Sequence, residues 1–265
     1  MFGIMIISRI APTPSGFLHV GNAFNFLLTS AWVRRNGGRL RLRIDDLDTT
    51  RTRPEYLEDL FETLAWLGLN WDEGPKDVQD LVLRHSQTLR RSRYLEVLQD
   101  FMRLEVAYVC VCSRTDLEKR PCLCREAKNS FNPGLSRIRV DLDLPGAVKK
   151  TVTIWRQEGI PAYQLVSLVD DLDHGVNLIV RGEDLLESTG IQRALARLLG
   201  NRQGAERFES IRFLHHPLIQ GPDGNKLSKS RGADALRVLF PRSGSNEALL
   251  ELLEPEISRF IDSPR

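Results

Sequence analysis

Arg9-Ile-Ala-Pro-Thr-Pro-Ser-Gly-Phe-Leu-His-Val-Gly-Asn22 decides how this chain is read. It follows the apolar run Ile4 to Ile7, which predicts a buried strand, and precedes Ala23 to Arg35, whose apolar spacing predicts a helix. The order is strand, tight loop, helix. Pro12, Pro14 and Gly16 break regular structure, and His19 and Gly21 arrive where the helix begins. Backbone N–H groups, the positive end of the helix dipole and an imidazole therefore converge on one spot, which suits a phosphate. The His19 ring can donate a hydrogen bond to a phosphoryl oxygen as charge develops there. Taken alone, the stretch is equally an ordinary strand-to-helix turn with a capping histidine.

A second stretch shifts the balance. Lys226-Leu-Ser-Lys-Ser230 lies far downstream, after the Gly- and Pro-rich segment Gln220 to Asn225. Two lysines bracketing a serine in a loop make a clamp for a polyphosphate.

HVGN and KLSKS together resemble the HIGH and KMSKS signatures of class I aminoacyl-tRNA synthetases. RIAPTPSGFLHVGN, LRIDDLDTTR and VRGEDLLEST are similar to the glutamyl branch of that class, and to its short paralogues in particular. The resemblance runs from Arg9 to about Leu239. It implies an α/β fold, a Rossmann-like doubly wound parallel sheet carrying an inserted, zinc-braced subdomain of the acceptor-binding kind and a short helical tail, without an anticodon-binding domain. Residues 1–75 and 151–219 are then the two halves of the nucleotide-binding catalytic domain, 76–150 the insertion, and 220–265 the lysine loop and tail. The implied chemistry is activation of L-glutamate by ATP with Mg2+, followed by transfer to tRNA. A core without an anticodon-reading domain can take the anticodon loop itself as substrate, so the expected acceptor is the queuosine of tRNA(Asp). Two other readings stay open: a ligase charging another tRNA or a non-tRNA amine, and a non-catalytic tRNA-binding module.

The same resemblance assigns residues. His19, Gly21, Lys226 and Lys229 become the catalytic set, and Asn22 and Ser228 join them in holding ATP. Arg9, Ala11, Thr13, Asp45, Tyr163 and Arg181 become the glutamate site. Arginine suits a substrate with two carboxylates because its planar fork binds both oxygens of one, and Arg181 is the expected reader of the side-chain carboxylate. Asp45 stands where the branch usually has Glu. Being one methylene shorter, it needs about 1 to 1.5 Å of compensation, or a bridging water, to meet the α-ammonium group. Ser167 stands where many full-length enzymes have Asn.

All four cysteines fall within fifteen residues as two C-x-C pairs, Cys110 and Cys112, then Cys122 and Cys124. Four thiolates at that spacing can close tetrahedrally on zinc, or they can be buried unliganded thiols. The resemblance favours a structural Zn2+.

Composition sets the frame. The 265 residues are 42% apolar, enough to bury a large core. No run approaches the roughly 18 apolar residues of a membrane span, and Met1 to Ile7 lacks the basic start of a signal peptide. A cytoplasmic monomer with no membrane partner is expected. The formal charge is only +2, with arginine concentrated at Arg34-Arg35, Arg39-Arg41-Arg43 and Arg84 to Arg93. Further along, the pattern predicts strands over Arg39 to Ile44, Val152 to Trp155, Val176 to Val180 and Arg212 to Ile219. It predicts helices over Pro54 to Leu67, His85 to Glu105 and Leu186 to Leu199. Ala162 to Val169 is helical or extended, one ring of His215-His216 is packed and the other wet, and the tail after Leu236 is helical at best.

Overall fold

Four short strands, paired two and two in parallel, frame the signature stretch, which leaves the end of the first of them. In the computed structural model, which describes residues 5–119, 121–132, 136–144, 146, 149–219, 236–242 and 244–263, the elements run as follows. The first segment holds β1 (Ile7–Ile10), α1 (Val20–Arg35), β2 (Arg39–Leu42), α2 (Pro54–Trp66) and the single turn α3 (Val78–Asp80). A π-helical turn over Leu81–His85 and a 3-10 turn over Gln87–Arg90 lead into α4 (Arg91–Arg103). Then come β3 (Ala107–Cys110), α5 (Arg114–Lys119), α6 (Cys124–Ala127), β4 (Arg137–Leu142), β5 (Lys150–Trp155) and α7 (Tyr163–Asp173). The chain continues through β6 (Leu178–Gly182), α8 (Leu186–Leu199), β7 (Arg212–His216), α9 (Leu236–Leu239) and α10 (Glu247–Asp262).

These elements form two compact units. The first comprises Met1–Leu89, Val176–Leu186 and Arg212–Arg265, the second Arg90–Gly175 and Glu187–Ile211. In the first, β1 pairs with β2 and β6 with β7, both parallel. Asn177 ties the pairs together: its N–H donates to the Ile7 carbonyl at 3.0 Å, its side-chain oxygen accepts from the Ile7 N–H at 2.8 Å, and its carbonyl accepts from Arg212. The outer edge of β2 is covered by Trp71 to Gly74, where Leu42 N–H donates to the Glu73 carbonyl. Only glycine fits at 74, because φ is +117° and a Cβ would lie 2.1 Å from the Leu42 oxygen.

Helix α1 is apolar around most of its girth, burying Val20, Ala23, Phe24, Phe26, Leu28, Trp32 and Val33. A helix of that kind needs cover on more than one side. The sheet supplies one side and α10 another, through Leu249, Leu253 and Phe260. The tail is thus a sixteen-residue helix with a buried face, more than its sequence announced.

The second unit is built on the antiparallel sheet β3-β4-β5. Its helices are joined by charge. Arg90 Nε reaches Asp170 at 2.9 Å, the Tyr94 hydroxyl donates to the same carboxylate at 2.9 Å, and Arg93 holds Asp173 at 2.8 Å. Asp170 is fully buried, and the Arg90 guanidinium and the Tyr94 hydroxyl on its carboxylate offset its desolvation. The ambiguous run Ala162 to Val169 is helical, inside α7. The expected helix over His85 to Glu105 is corrected: regular α-helix begins only at Arg91, because Ser86, with ψ at 136°, interrupts the ladder. No helix among the described residues is long and apolar enough to cross a membrane.

Candidate active site

The first turn of α1 is organised by His19 and Asn22. His19 is the N-cap. Its Nδ1 accepts from the Asn22 N–H at 3.2 Å, and the Asn22 side-chain oxygen accepts from the His19 N–H at 3.0 Å, a reciprocal capping box. A neutral imidazole that accepts at Nδ1 carries its proton on Nε2, so the ring presents a donor on its other edge. Gly21 leaves room for the ring. A Cβ there would stand 3.1 Å from both Cε1 and Nδ1 of His19.

The strand ends bring further residues to this loop. Beyond β2 the ladder continues with Arg43 N–H to the Ile10 carbonyl at 3.0 Å and Asp45 N–H to the Pro12 carbonyl at 2.9 Å. Asp45 therefore sits against the Ala11-Pro12-Thr13 segment. Its carboxylate receives Arg43 Nε at 2.7 Å and Gln87 Nε2 at 3.0 Å, while Asp46 accepts the Gln87 main-chain N–H at 2.8 Å. Thr13 is exposed. Arg9 on β1 and Arg181 on β6 are both buried, and the Arg181 guanidinium lies 4.9 Å from the centre of the Phe213 ring. Ala11, partly buried, directly follows β1. Tyr163 opens α7 in the second unit and is exposed, and the Ser167 hydroxyl is turned down that helix to Asp171 at 3.4 Å.

Lys226, Ser228 and Lys229 lie outside the described residues; the chain on either side of them does not. Before that segment, His216 at the end of β7 receives the Asn25 amide of α1 on Nε2 at 2.9 Å. After it, Leu236 donates its N–H to the Leu18 carbonyl at 2.7 Å, and the Arg237 guanidinium stacks 3.4 Å over Phe17. The described residues on both sides of the lysine-bearing segment are therefore bonded to the signature stretch and the helix it starts. Arg43, Gln87, Phe17, Leu18 and Arg237 were not singled out from sequence. Arg43 had a faint signal in the Arg39-Arg41-Arg43 alternation, and Gln87 had none. Of the two adjacent histidines, His216 is packed between Phe24 and Phe260 and His215 is the wetter one.

The four cysteines converge in the second unit. Sγ atoms of Cys110 and Cys122 are 3.7 Å apart, those of Cys112 and Cys122 3.9 Å, and those of Cys112 and Cys124 3.5 Å; all four lie within 4.8 Å of one another. These are not disulfides. A tetrahedron with Zn–S bonds of about 2.3 Å has S–S edges of about 3.8 Å, so the set fits zinc. Packed as thiols, they compete for protons. The Cys124 thiol pushes Cys112 up to about 12. Cys124 itself, against the opposing effect of burial, is brought down to about 7 by the Val111 amide and neighbouring thiols. A divalent cation removes that conflict by taking four thiolates at once.

Comparison with known proteins places the family and the fold. Residues 5–134 match the family described as tRNA synthetases class I (E and Q), catalytic domain. A glutamyl-Q tRNA(Asp) synthetase from Symbiobacterium thermophilum is 35% identical over 98% of this chain and 88% of its own length. A glutamate–tRNA ligase from Anaeromyxobacter sp. is 34% identical over 92% of this chain. The crystal structure of a glutamate tRNA ligase from Elizabethkingia meningosepticum, 21% identical, superposes with a TM-score of 0.68 over 90% of this chain and 53% of that one, and shares the fold. The chain spans about half the length of the curated glutamate–tRNA ligases it matches, 56% for the Anaeromyxobacter protein. The fold is that of a class I aminoacyl-tRNA synthetase catalytic domain. Within that class the chain belongs to the family of the glutamyl-Q tRNA(Asp) synthetases.

Proposed function

We propose that this protein activates L-glutamate with ATP and Mg2+ and transfers the glutamyl group to the queuosine of tRNA(Asp), acting as a monomer in the cytoplasm. The observation that carries the reading is the double anchoring of the lysine segment. Leu236, which follows the segment, is bonded to Leu18, and His216, which precedes it, to Asn25 of the helix that His19 caps. Lys226 and Lys229 then have a common target with the helix N-terminus: one triphosphate.

In the first step a glutamate carboxylate oxygen attacks the α-phosphorus, and pyrophosphate leaves with its electron pair. No protein nucleophile is needed, so positioning and charge carry the rate. The His19 Nε2 proton and the N–H groups at the start of α1 meet the phosphoryl oxygens, with Gly21 and Asn22 shaping that turn. Lys226, Ser228 and Lys229 bind the departing pyrophosphate, where a bound magnesium ion would add positive charge. Arg9, Ala11, Thr13 and Arg181 receive the carboxylates, Arg181 that of the side chain, and Asp45 the α-ammonium. Tyr163 belongs to the second unit, and its assignment rests on the sequence resemblance alone. In the second step a nucleophilic group of the acceptor attacks the activated carbonyl and AMP departs. The Cys110, Cys112, Cys122 and Cys124 set would hold a structural zinc that takes no part in these steps.

A ligase charging another tRNA is favoured by one finding, the 34% identity to glutamate–tRNA ligases. The acceptor distinguishes the two. Glutamate-dependent ATP–pyrophosphate exchange, followed by transfer of labelled glutamate to tRNA(Asp) with and without queuosine, should show label only on the modified tRNA. Equal labelling of both would replace the present reading with the second. Lys229→Ala should slow exchange by about a hundredfold or more, the cost of one transition-state charge of about 3 kcal/mol. Unchanged exchange would remove Lys229 from the catalytic set.

A further inference from the structure

We propose that Gln87 is a positioning residue that aims the Asp45 carboxylate at the α-ammonium group of the bound amino acid. The inference rests on the reading of Asp45 given above, and three observations carry it. The first is where the helix breaks. In a continuous helix the Gln87 N–H would be committed to the carbonyl four residues earlier. The π-turn Leu81–His85 and the extended Ser86 cancel that bond, and the N–H goes to Asp46 Oδ1 at 2.8 Å instead. π-Turns inside helices recur at functional sites for this reason: they redirect one residue. Here the redirected residue is Gln87.

The second observation is burial. Gln87 is 2% exposed, so its side-chain amide has no bulk water to fall back on. It donates to Asp45 Oδ1 at 3.0 Å. The third is the geometry of the carboxylate. Arg43, itself buried, puts Nε 2.7 Å from the same Oδ1 but its Nη2 3.3 Å from Oδ2. An arginine left alone with a carboxylate tends toward two equal parallel bonds. The pair is skewed here, with Gln87 sharing the oxygen that Arg43 holds most closely. With the Asp45 main chain fixed on the Pro12 carbonyl at 2.9 Å, the carboxylate is held at its root and at one oxygen from two directions. A short aspartate in place of a longer glutamate has less reach with which to correct its aim, and small misplacements are costly.

Gln87→Met keeps the volume and the main-chain N–H but removes the donor. In exchange assays the KM for glutamate should rise about tenfold while the KM for ATP stays within about twofold of wild type. The Ki of 2-hydroxyglutarate, which has no ammonium group, should not move. Gln87→Glu, which sets a second carboxylate beside Asp45, should raise the glutamate KM further, and it serves equally should the methionine variant fail to fold. Equal weakening of glutamate and 2-hydroxyglutarate in both variants, or no weakening in either, overturns the proposal. Asp45→Asn separates the two levels. If it leaves the ratio of glutamate to 2-hydroxyglutarate affinity untouched, the reading of Asp45 fails. If it collapses that ratio while the Gln87 variants do not, the positioning role alone fails.

Discussion

The two hydrogens of the Asn25 side-chain amide go to different strands, one to the Val180 carbonyl at 3.3 Å and one to His216 Nε2 at 2.9 Å. His216 Nδ1 faces the Pro217 carbonyl at 2.9 Å, so the neutral ring donates at Nδ1 and accepts at Nε2. One side chain on the signature helix thereby fixes the tautomer of a histidine on the strand that precedes the lysine-bearing segment.

A pH dependence follows. Burial holds the His216 pKa below its ordinary value, against the opposing pull of the Pro217 carbonyl and of Asp184 and Glu183. A depressed folded-state pKa means that stability is fully present above the unfolded value near 6.5 and is lost as pH falls below it. Melting curves between pH 7.5 and 5.5 should show a falling Tm for the wild type and a flatter profile for His216→Gln. Parallel profiles would show that His216 does not titrate against folding.

Gly21→Ala should separate stability from activity. In a helix interior the exchange gains about 1 kcal/mol of propensity, yet the new Cβ stands 3.1 Å from the His19 ring and must displace it. Tm should hold or rise while ATP–pyrophosphate exchange falls by about tenfold or more. Undiminished exchange would mean that the orientation of the His19 ring does not matter.

The thiol cluster should hold one zinc per chain, measurable by native mass spectrometry. Cys112→Ser, or prolonged chelation, should remove it and lower stability by about 3 kcal/mol, which is about 6–12 °C in Tm for a chain of this size. A metal-free protein that melts at the same temperature with or without added zinc would rule out the structural role.

Asp173, held between Arg90 and Arg93, should contribute to stability at neutral pH and not in acid. Against the effect of burial, the two guanidinium groups hold its carboxyl below the usual range. Its contribution is present above the unfolded value near 3.9 and is lost as pH falls through the lower folded one. Asp173→Asn should cost about 1–2 kcal/mol at pH 7, and the cost should shrink as pH falls below the usual carboxylate range, read from urea midpoints. A cost independent of pH would point to packing instead.

Much of the fold could be read from local pattern because its elements satisfy themselves locally. The turn into α1, the Pro54 start of α2 and the span of α8 all carry their own signals. What could not be read depended on distant partners. Apolar periodicity runs through His85 to Glu105 without showing that Ser86 breaks the ladder, since the break is stabilised by Asp45 and Asp46, some forty residues away in sequence. The site was legible only where two signatures reinforced each other. Gln87, an unremarked amide in a run of arginines, had no motif to mark it.

The face of α1 that sets Trp32 against Phe260 of α10 bears on how the protein can be handled. A chain cut back near Pro241 would keep every residue assigned to chemistry yet lay bare a stripe of indole and aliphatic surface along its central helix, an invitation to self-association. What looks like a dispensable trailing end is the last course of masonry in the wall of the core.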